Sequence, residues 1–263
     1  MPITVAADGY RLWYEAVGEA GAPAIVLPVR RRDEFGALAE ALAERHRVVR
    51  YKPRRVVGEM EPDPEAGGGS APWDPASLTE TPVALEIADL HAVADAAGAE
   101  GFLLAGYSGM AALAGFLAPL SERVRGLLLG GFPLLSGWDY WLGFEEGARA
   151  ALIQAGMPEA AAQHHLGRLL FREWAARDDR AALAALPGPK VLWYGSRDST
   201  PDCRMYDYVG GGAIASRNRD DAGRLRELGF AVLEIPEQDH IGALAETALI
   251  APQLLAALEK SPW

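Results

Sequence analysis

Short apolar segments alternate with amphipathic helical patterns along most of the chain, and this alternation restricts the possible folds more than any other feature. Apolar runs typical of buried strands occur at residues 24–27, 48–51, 102–105, 124–129, 191–194 and 231–235. Helical patterns separate most of these runs, as crossover connections between parallel strands require. The sequence therefore predicts an α/β fold, with a doubly wound, mostly parallel sheet covered by helices on both faces.

The segments outside this alternation complete the predicted organisation. Residues 3–6 and 12–15 flank the turn signal Asp8-Gly9 and predict an opening hairpin. Asp33 is the expected N-cap of a first helix. Residues 58–81 are expected to form a long loop, and Thr81-Pro82 is expected to start a second helix after it. Further helices are expected over residues 110–118, 216–228 and 243–258. We expect a single domain over residues 1–263, with a helical cap inserted at about 133–189 and cap helices around 148–156 and 158–177.

Composition excludes several classes of function. The formal net charge of −11 argues against a nucleic acid or an anionic membrane as partner. Cys203 is the only cysteine, so an intramolecular disulfide is impossible, and its neighbours do not form a redox motif. The first residues lack the pattern of a signal peptide and no run of 18 apolar residues occurs, so a cytoplasmic location is expected. No metal or nucleotide signature is present, no cofactor is predicted, and the oligomeric state stays open.

The segment Gly106-Tyr-Ser-Gly109 carries the strongest chemical signal. It places Ser108 between a buried strand and a helix, with a glycine on either side within two positions. A turn this sharp needs residues without a Cβ and lifts the hydroxyl above the carboxyl edge of the sheet. The free amides at the following helix start, including that of Gly109, are candidate donors to an oxyanion.

The order of two further segments resembles that of the α/β-hydrolase superfamily. Asp198 follows a later strand and His240 follows the next one, where that family places its triad acid and its histidine. The resemblance covers almost the whole chain and implies that Ser108 attacks a carbonyl carbon, His240 accepts its proton and Asp198 orients the imidazole. Two alternatives remain open: Asp239 or Asp202 is the acid, or His240 only caps the last helix.

Two positions depart from the family pattern. Met110 stands where the family usually has a small residue, so it either fills the acyl pocket or tilts the helix. After the third strand the family typically has a His-Gly pair that builds half of the oxyanion hole, whereas this chain has Pro28-Val-Arg-Arg-Arg32. The loop can still offer a backbone amide, for which Val29 is the candidate.

Six cations follow two strands whose carboxyl ends are expected near Ser108: Arg30, Arg31, Arg32, Lys52, Arg54 and Arg55. A guanidinium binds both oxygens of a carboxylate, so Arg30, Arg31 and Arg32 are candidate ligands of an anionic substrate. The alternative is a solvated charge run that pairs with nearby acidic residues such as Asp33 and Glu34.

The predicted cap begins with aromatic residues, of which Trp138 and Trp141 are candidate substrate contacts, although packing of the cap on the body explains them equally. The leading functional hypothesis is a serine hydrolase acting on a carboxylic ester, lactone, thioester or amide of a small molecule or peptide that carries a carboxylate. The rival is a non-hydrolytic enzyme of the same fold, such as a peptide epimerase or cyclase of a natural-product pathway, with His240 in proton transfer. A catalytically inert binding protein is the third hypothesis.

Overall fold

The structure, a computed structural model, describes residues 3–54, 83–198 and 214–260. Within them, eight strands form one sheet in the order β1-β2-β4-β3-β5-β6-β7-β8. The strands are β1 (Ile3–Val5), β2 (Arg11–Val17), β3 (Ala24–Pro28), β4 (Arg47–Tyr51), β5 (Phe102–Tyr107), β6 (Val124–Gly130), β7 (Lys190–Gly195) and β8 (Phe230–Ile235). Pairings of β2 with β1 and β4 are antiparallel and all others are parallel, so the predicted sheet is confirmed.

Most of the helices that follow the strands lie close to their predicted positions, but the helix expected around residues 148–156 begins earlier, at Trp138. They are α1 (Gly36–Leu42), α2 (Val83–Ala96), α3 (Gly109–Leu117), α4 (Trp138–Gln154), α5 (Pro158–Ala175), α6 (Arg180–Ala185), α7 (Ile214–Glu227), α8 (Gly242–Ala245) and α9 (Thr247–Leu258). A short 3₁₀ helix, Ala118–Leu120, extends α3. The segment between β6 and β7 contains α4, α5 and α6, in the region where the cap was expected.

Each face of the sheet packs against its own set of helices, because successive side chains of a strand point to opposite faces. In β5, Phe102 and Leu104 join a core with α2, α3, α7 and the aromatic residues of α4 and α5. Leu103, Ala105 and Tyr107 join a second core with α1, α8 and α9. This arrangement leaves the carboxyl ends of the parallel strands together at one edge of the sheet.

Two helix boundaries differ from the sequence prediction for local backbone reasons. Helix α1 begins at Gly36 because Phe35 has a left-handed backbone, with φ of 62°. Asp33 consequently does not cap the helix and instead pairs with Arg31 at the surface. The predicted last helix is divided into α8 and α9, because Glu246 has a non-helical ψ of 61°.

Some predictions fall outside the described residues. These are the loop over 58–81, the helix start at Thr81-Pro82, and the positions of Arg55, Asp202 and Cys203. In the described part of the chain, no helix is long and apolar enough to cross a membrane.

Candidate active site

Ser108 occupies a strained turn between β5 and α3. Its φ of 54° and ψ of −126° are unusual for a residue with a side chain, and its amide donates to the carbonyl of Gly130 at 2.8 Å. The turn is possible because Gly106 has no side chain: a Cβ there would collide with the backbone of Met110. Met110 itself is buried and packs in the core on the α3 side of the sheet.

A carboxylate–imidazole pair lies at the ends of β7 and β8. Nδ1 of His240 is 2.9 Å from both carboxylate oxygens of Asp198. Asp198 is 2% exposed whereas His240 is partly exposed, so the carboxylate is shielded from water and the ring faces the surface. Since Nδ1 is held by Asp198, Nε2 of the imidazole is left to accept a proton from another group.

Tyr107, the residue before Ser108, holds the loop of His240 in place. Its hydroxyl donates to the backbone carbonyl of His240 at 2.6 Å, and the two ring centroids are 5.1 Å apart. Burial, together with the nearby carboxylates of Asp198 and Asp239, raises the pKa of Tyr107, so the phenol stays protonated as a donor.

Ser108 and His240 each contact one of two adjacent glycines, Gly130 and Gly131, at the end of β6. Ser108 bonds to Gly130, and a Cβ on Gly131 would lie 2.9 Å from Cε1 of His240. Within the described residues, the Ser108 hydroxyl makes no hydrogen bond, so the Asp198–His240 link is formed and the Ser108–His240 link is not. Catalytic hydrogen bonds are often long without substrate, so the proximity of Ser108 to His240 stays a prediction.

The structure gives Asp239 a different task from Asp198. Its carboxylate accepts a hydrogen bond from the amide of Gly242 at 2.7 Å and caps the start of α8. Asp239 therefore does not take the place of Asp198 beside the imidazole.

The two residues expected to stabilise an oxyanion differ in availability. The amide of Gly109 makes no backbone hydrogen bond within the described part of the chain and is a free donor at the start of α3. The amide of Val29 donates to the carbonyl of Tyr51 at 2.9 Å, in continuation of the sheet ladder. Val29 is therefore not available to an oxyanion, and the structure corrects that expectation.

The three arginines after β3 have different environments. The guanidinium of Arg30 lies against Gly109, where a Cβ on the glycine would collide with it. Arg31 is exposed and pairs with Asp33 at 2.9 Å. Arg32 lies over the ring of Trp13, 5.4 Å from its centroid. Of the three, Arg30 is the one that contacts the residue next to Ser108.

Lys52 and Arg54, the two cations after β4 that the structure describes, are buried and do not surround the site as expected. Lys52 and Arg54 are each 1% exposed. Arg54 donates to Asp89 at 2.6 Å and to Asp8 at 2.7 Å, and its guanidinium lies over the ring of Tyr10. A buried charge of this kind requires such partners, so Arg54 connects β4 to the β1–β2 turn and to α2.

Comparison with solved structures identifies the fold. Over 98% of this chain, the structure is similar to an epoxide hydrolase from Vigna radiata, with a TM-score of 0.61, 15% identity and 97% of that chain covered. It is similar over 98% of its length to the enol-lactonase from Burkholderia xenovorans LB400, with a TM-score of 0.59, 19% identity and 100% of that chain covered. The chain has the α/β-hydrolase fold.

An α/β hydrolase from Sphaerobacter thermophilus DSM 20745 is a further similar structure, with a TM-score of 0.57, 20% identity, and 97% of this chain and 99% of that chain covered. No protein-family model matches the sequence. No curated protein matches it either. The α/β-hydrolase fold is thus shared with proteins whose sequences have diverged widely from this one.

The aromatic residues of the segment between β6 and β7, where the cap was expected, form a packed cluster. Trp138 stacks on Trp174 with 3.7 Å between ring centroids, and Trp141 stacks on Phe132 at 5.3 Å. Trp141 is buried, so the packing interpretation accounts for it. Trp138 also lines a groove of about 300 Å³ whose lining does not include Ser108, Asp198 or His240 among the described residues. The structure does not place either tryptophan beside Ser108.

In the described part of the chain, no group of three or more His, Cys, Asp or Glu side chains is arranged to hold a metal ion. Sequence reasoning missed two residues that shape the site, Tyr107 and Arg50, and named Glu34 only as a possible ion-pair partner of the arginines. Tyr107 is adjacent to Ser108 and could have been noticed from the turn alone. Arg50 holds the arginine loop through hydrogen bonds to the carbonyls of Arg32 and Glu34, a contact between β4 and the loop that no local sequence pattern reveals.

Proposed function

We propose that the protein is a serine hydrolase that acts on a carboxylic ester, lactone, thioester or amide. The observation that carries the proposal is the buried carboxylate of Asp198 on Nδ1 of His240, next to the strained turn that presents Ser108. The likeness to an enol-lactonase and an epoxide hydrolase supports it at the level of the fold.

The proposed reaction follows from the hydrogen bond between Asp198 and His240. Asp198 accepts a hydrogen bond from Nδ1–H and keeps the proton on that nitrogen, so Nε2 accepts the proton of the Ser108 hydroxyl as its oxygen attacks the carbonyl carbon. The carbonyl oxygen becomes negative in the tetrahedral intermediate and is stabilised by the amide of Gly109. The imidazolium returns the proton to the leaving group, and water then hydrolyses the acyl-serine by the same steps.

We also propose that the substrate carries an anionic group close to the scissile bond. Arg31 is the candidate ligand, because it is exposed on the same loop as Arg30 and its ion pair with Asp33 is solvated. Exposed pairs of this kind contribute little free energy, so a substrate carboxylate can replace Asp33 as the partner. The buried cations Lys52 and Arg54 do not support this part of the proposal.

A fluorophosphonate probe tests the hydrolase before any substrate is known. We expect covalent labelling of Ser108, abolished by Ser108→Ala and strongly reduced by His240→Ala, because the probe reacts only with an activated hydroxyl. Ser121→Ala is the matched control. The Ser121 hydroxyl also contacts a histidine, His91 at 2.8 Å, but Ser121 follows the 3₁₀ helix at the C-terminal end of α3, the opposite end from Ser108. Intact-mass spectrometry of the labelled proteins gives the readout.

A folded wild-type protein without label would contradict the hydrolase and favour the non-hydrolytic rival. One observation already favours that rival: the Val29 amide is engaged, so one backbone donor of an ordinary oxyanion hole is missing. In that reaction His240 removes a proton next to a carbonyl, and Ser108 needs no activation. Exchange of a substrate C–H for solvent deuterium without hydrolysis is its expected signature.

A further inference from the structure

We infer that the guanidinium of Arg30 is the second oxyanion donor of this site, beside the amide of Gly109. The inference rests on the proposed hydrolysis and assigns a catalytic residue to it. Arg30 stands in the loop after β3, where the sequence lacks the His-Gly pair, and its side chain would perform the task for which no backbone amide is available there.

The first two amides after β3 are already engaged. Val29 donates to the carbonyl of Tyr51 at 2.9 Å, and the amide of Arg30 donates to Oε2 of Glu34 at 2.7 Å. A donor used in a hydrogen bond of this length has no proton left for a substrate oxygen. The loop therefore lacks these two backbone donors, and a side chain must supply the missing stabilisation.

The position of Arg30 matches this requirement. Its guanidinium occupies the space that a side chain at position 109 would take, so Gly109 allows the cation to approach the start of α3. The guanidinium contacts Gly109, whose own amide makes no backbone hydrogen bond within the described residues. Two donors, one neutral and one charged, thus meet immediately after Ser108.

Among the described residues, Arg30 has no carboxylate partner, unlike Arg31, Arg50 and Arg54. Arg31 pairs with Asp33, Arg50 with Glu15, and Arg54 with Asp8 and Asp89. Within the described residues, the Arg30 side chain makes no hydrogen bond or ion pair. The carboxylate of Glu34 accepts a hydrogen bond from the Arg30 backbone amide, not from its guanidinium. The half-buried cation is therefore left to interact with a charge that develops during the reaction.

The loop that carries Arg30 is held in one conformation, as a preorganised donor requires. Nη1 of Arg50 donates to the carbonyls of Arg32 at 3.0 Å and Glu34 at 2.7 Å. The ring of Phe35 packs edge-on against Tyr107, with 6.4 Å between centroids. The loop is thus connected to β4 on one side and to the turn of Ser108 on the other.

The chemistry requires no proton from Arg30. The guanidinium donates N–H hydrogen bonds to the carbonyl oxygen as this oxygen takes up the electron pair of the carbonyl bond, and it transfers no proton. His240 alone moves the proton. Loss of one oxyanion donor typically lowers kcat about 10²- to 10³-fold.

The test measures fluorophosphonate labelling of Ser108 and hydrolysis of two probe esters, neutral 4-nitrophenyl butyrate and anionic mono-4-nitrophenyl succinate. We expect Arg30→Gln to slow labelling and to lower kcat about a hundredfold for both esters, because the oxyanion forms with each. Arg30→Lys is expected to retain more activity than Arg30→Gln, since it keeps a cation. Arg45→Gln removes an exposed cation paired with Glu259, away from the site, and is the matched charge control.

The outcomes separate the alternatives. A higher KM for the succinate ester alone in Arg30→Gln would overturn the inference and make Arg30 a substrate-anion ligand. Faster hydrolysis in Arg30→Gln would overturn it as well and show that the guanidinium obstructs the site. An unlabelled but folded wild type would contradict the proposed hydrolysis itself, whereas equal labelling of wild type and Arg30→Gln would contradict only the role of Arg30. Thermal unfolding of each variant identifies any loss caused by misfolding.

Discussion

Gly131, which follows β6, must be glycine for two reasons: its backbone is left-handed, and there is no room for a side chain. Its φ is 58°, and a Cβ there would lie 2.7 Å from Cζ of Tyr107 and 2.9 Å from Cε1 of His240. The first atom belongs to the tyrosine that holds the His240 loop, and the second belongs to the imidazole itself. A single methyl group at this position is therefore expected to displace the His240 ring from Tyr107 and Gly131 while leaving the sheet formed.

We predict that Gly131→Ala lowers the rate of Ser108 labelling at least tenfold. The positive φ adds strain of about 1 to 3 kcal/mol, and the displaced ring no longer accepts the serine proton. Gly143→Ala is the control, because a Cβ at position 143 meets nothing within 4 Å. The position lies inside helix α4, where alanine is favoured over glycine. Urea unfolding and labelling kinetics of both variants check the prediction, and a Gly131→Ala protein that labels like wild type would contradict it.

At the scale of elements, Arg54 connects three parts of the chain that are distant in sequence. It follows β4 and bonds to Asp8 in the β1–β2 turn and to Asp89 in α2. The hydrogen bond from Arg54 lowers the pKa of Asp8 to about 2. The unfolded chain, in which Asp8 titrates near its usual value of about 4, thus binds a proton in a pH range where the native protein does not.

The sign of the resulting pH dependence follows from this difference. Ionised Asp8 stabilises the fold above about pH 4, and this contribution is lost as the pH falls through about 2. We predict that Asp8→Asn is less stable than wild type at pH 6 and that the difference between the two shrinks between pH 4 and pH 3. Urea denaturation at a series of pH values gives the measurement; a difference that is constant over this range would exclude the link.

For the whole molecule, the formal charge of −11 opposes the approach of an anionic substrate, whereas the arginine loop beside Ser108 favours it locally. We predict that Arg31→Gln raises KM for mono-4-nitrophenyl succinate several-fold and leaves KM for 4-nitrophenyl butyrate unchanged. Added salt is expected to raise KM of the wild type for the succinate ester, because the exposed Arg31 is screened at high ionic strength. Equal changes for both esters would show that Arg31 acts on loop shape instead.

The order of strands and helices was predictable from the sequence because it depends on local patterns. Runs such as Phe102–Tyr107 are buried on both faces and must be apolar along their length, and glycines such as Gly98 end helices where φ is positive. The Ser108 turn was predictable for the same reason, since its glycines are required by the turn itself. Where a boundary was misplaced, as at Asp33, the left-handed backbone of Phe35 decided it, and no local rule favours that conformation for phenylalanine.

The chemical environment of each site residue was decided by tertiary structure. The pairing of Asp198 with His240, and the capping of α8 by Asp239, depend on how the loops after β7 and β8 meet. The sequence shows the arginines after β3 and β4 as equivalent charges, yet Arg54 is buried between two aspartates and Arg30 lies half-buried against Gly109. Sequence determines which groups and turns a chain contains because these are properties of neighbouring residues. Only the fold determines which donors are already engaged, because hydrogen bonds and ion pairs join residues from separate elements.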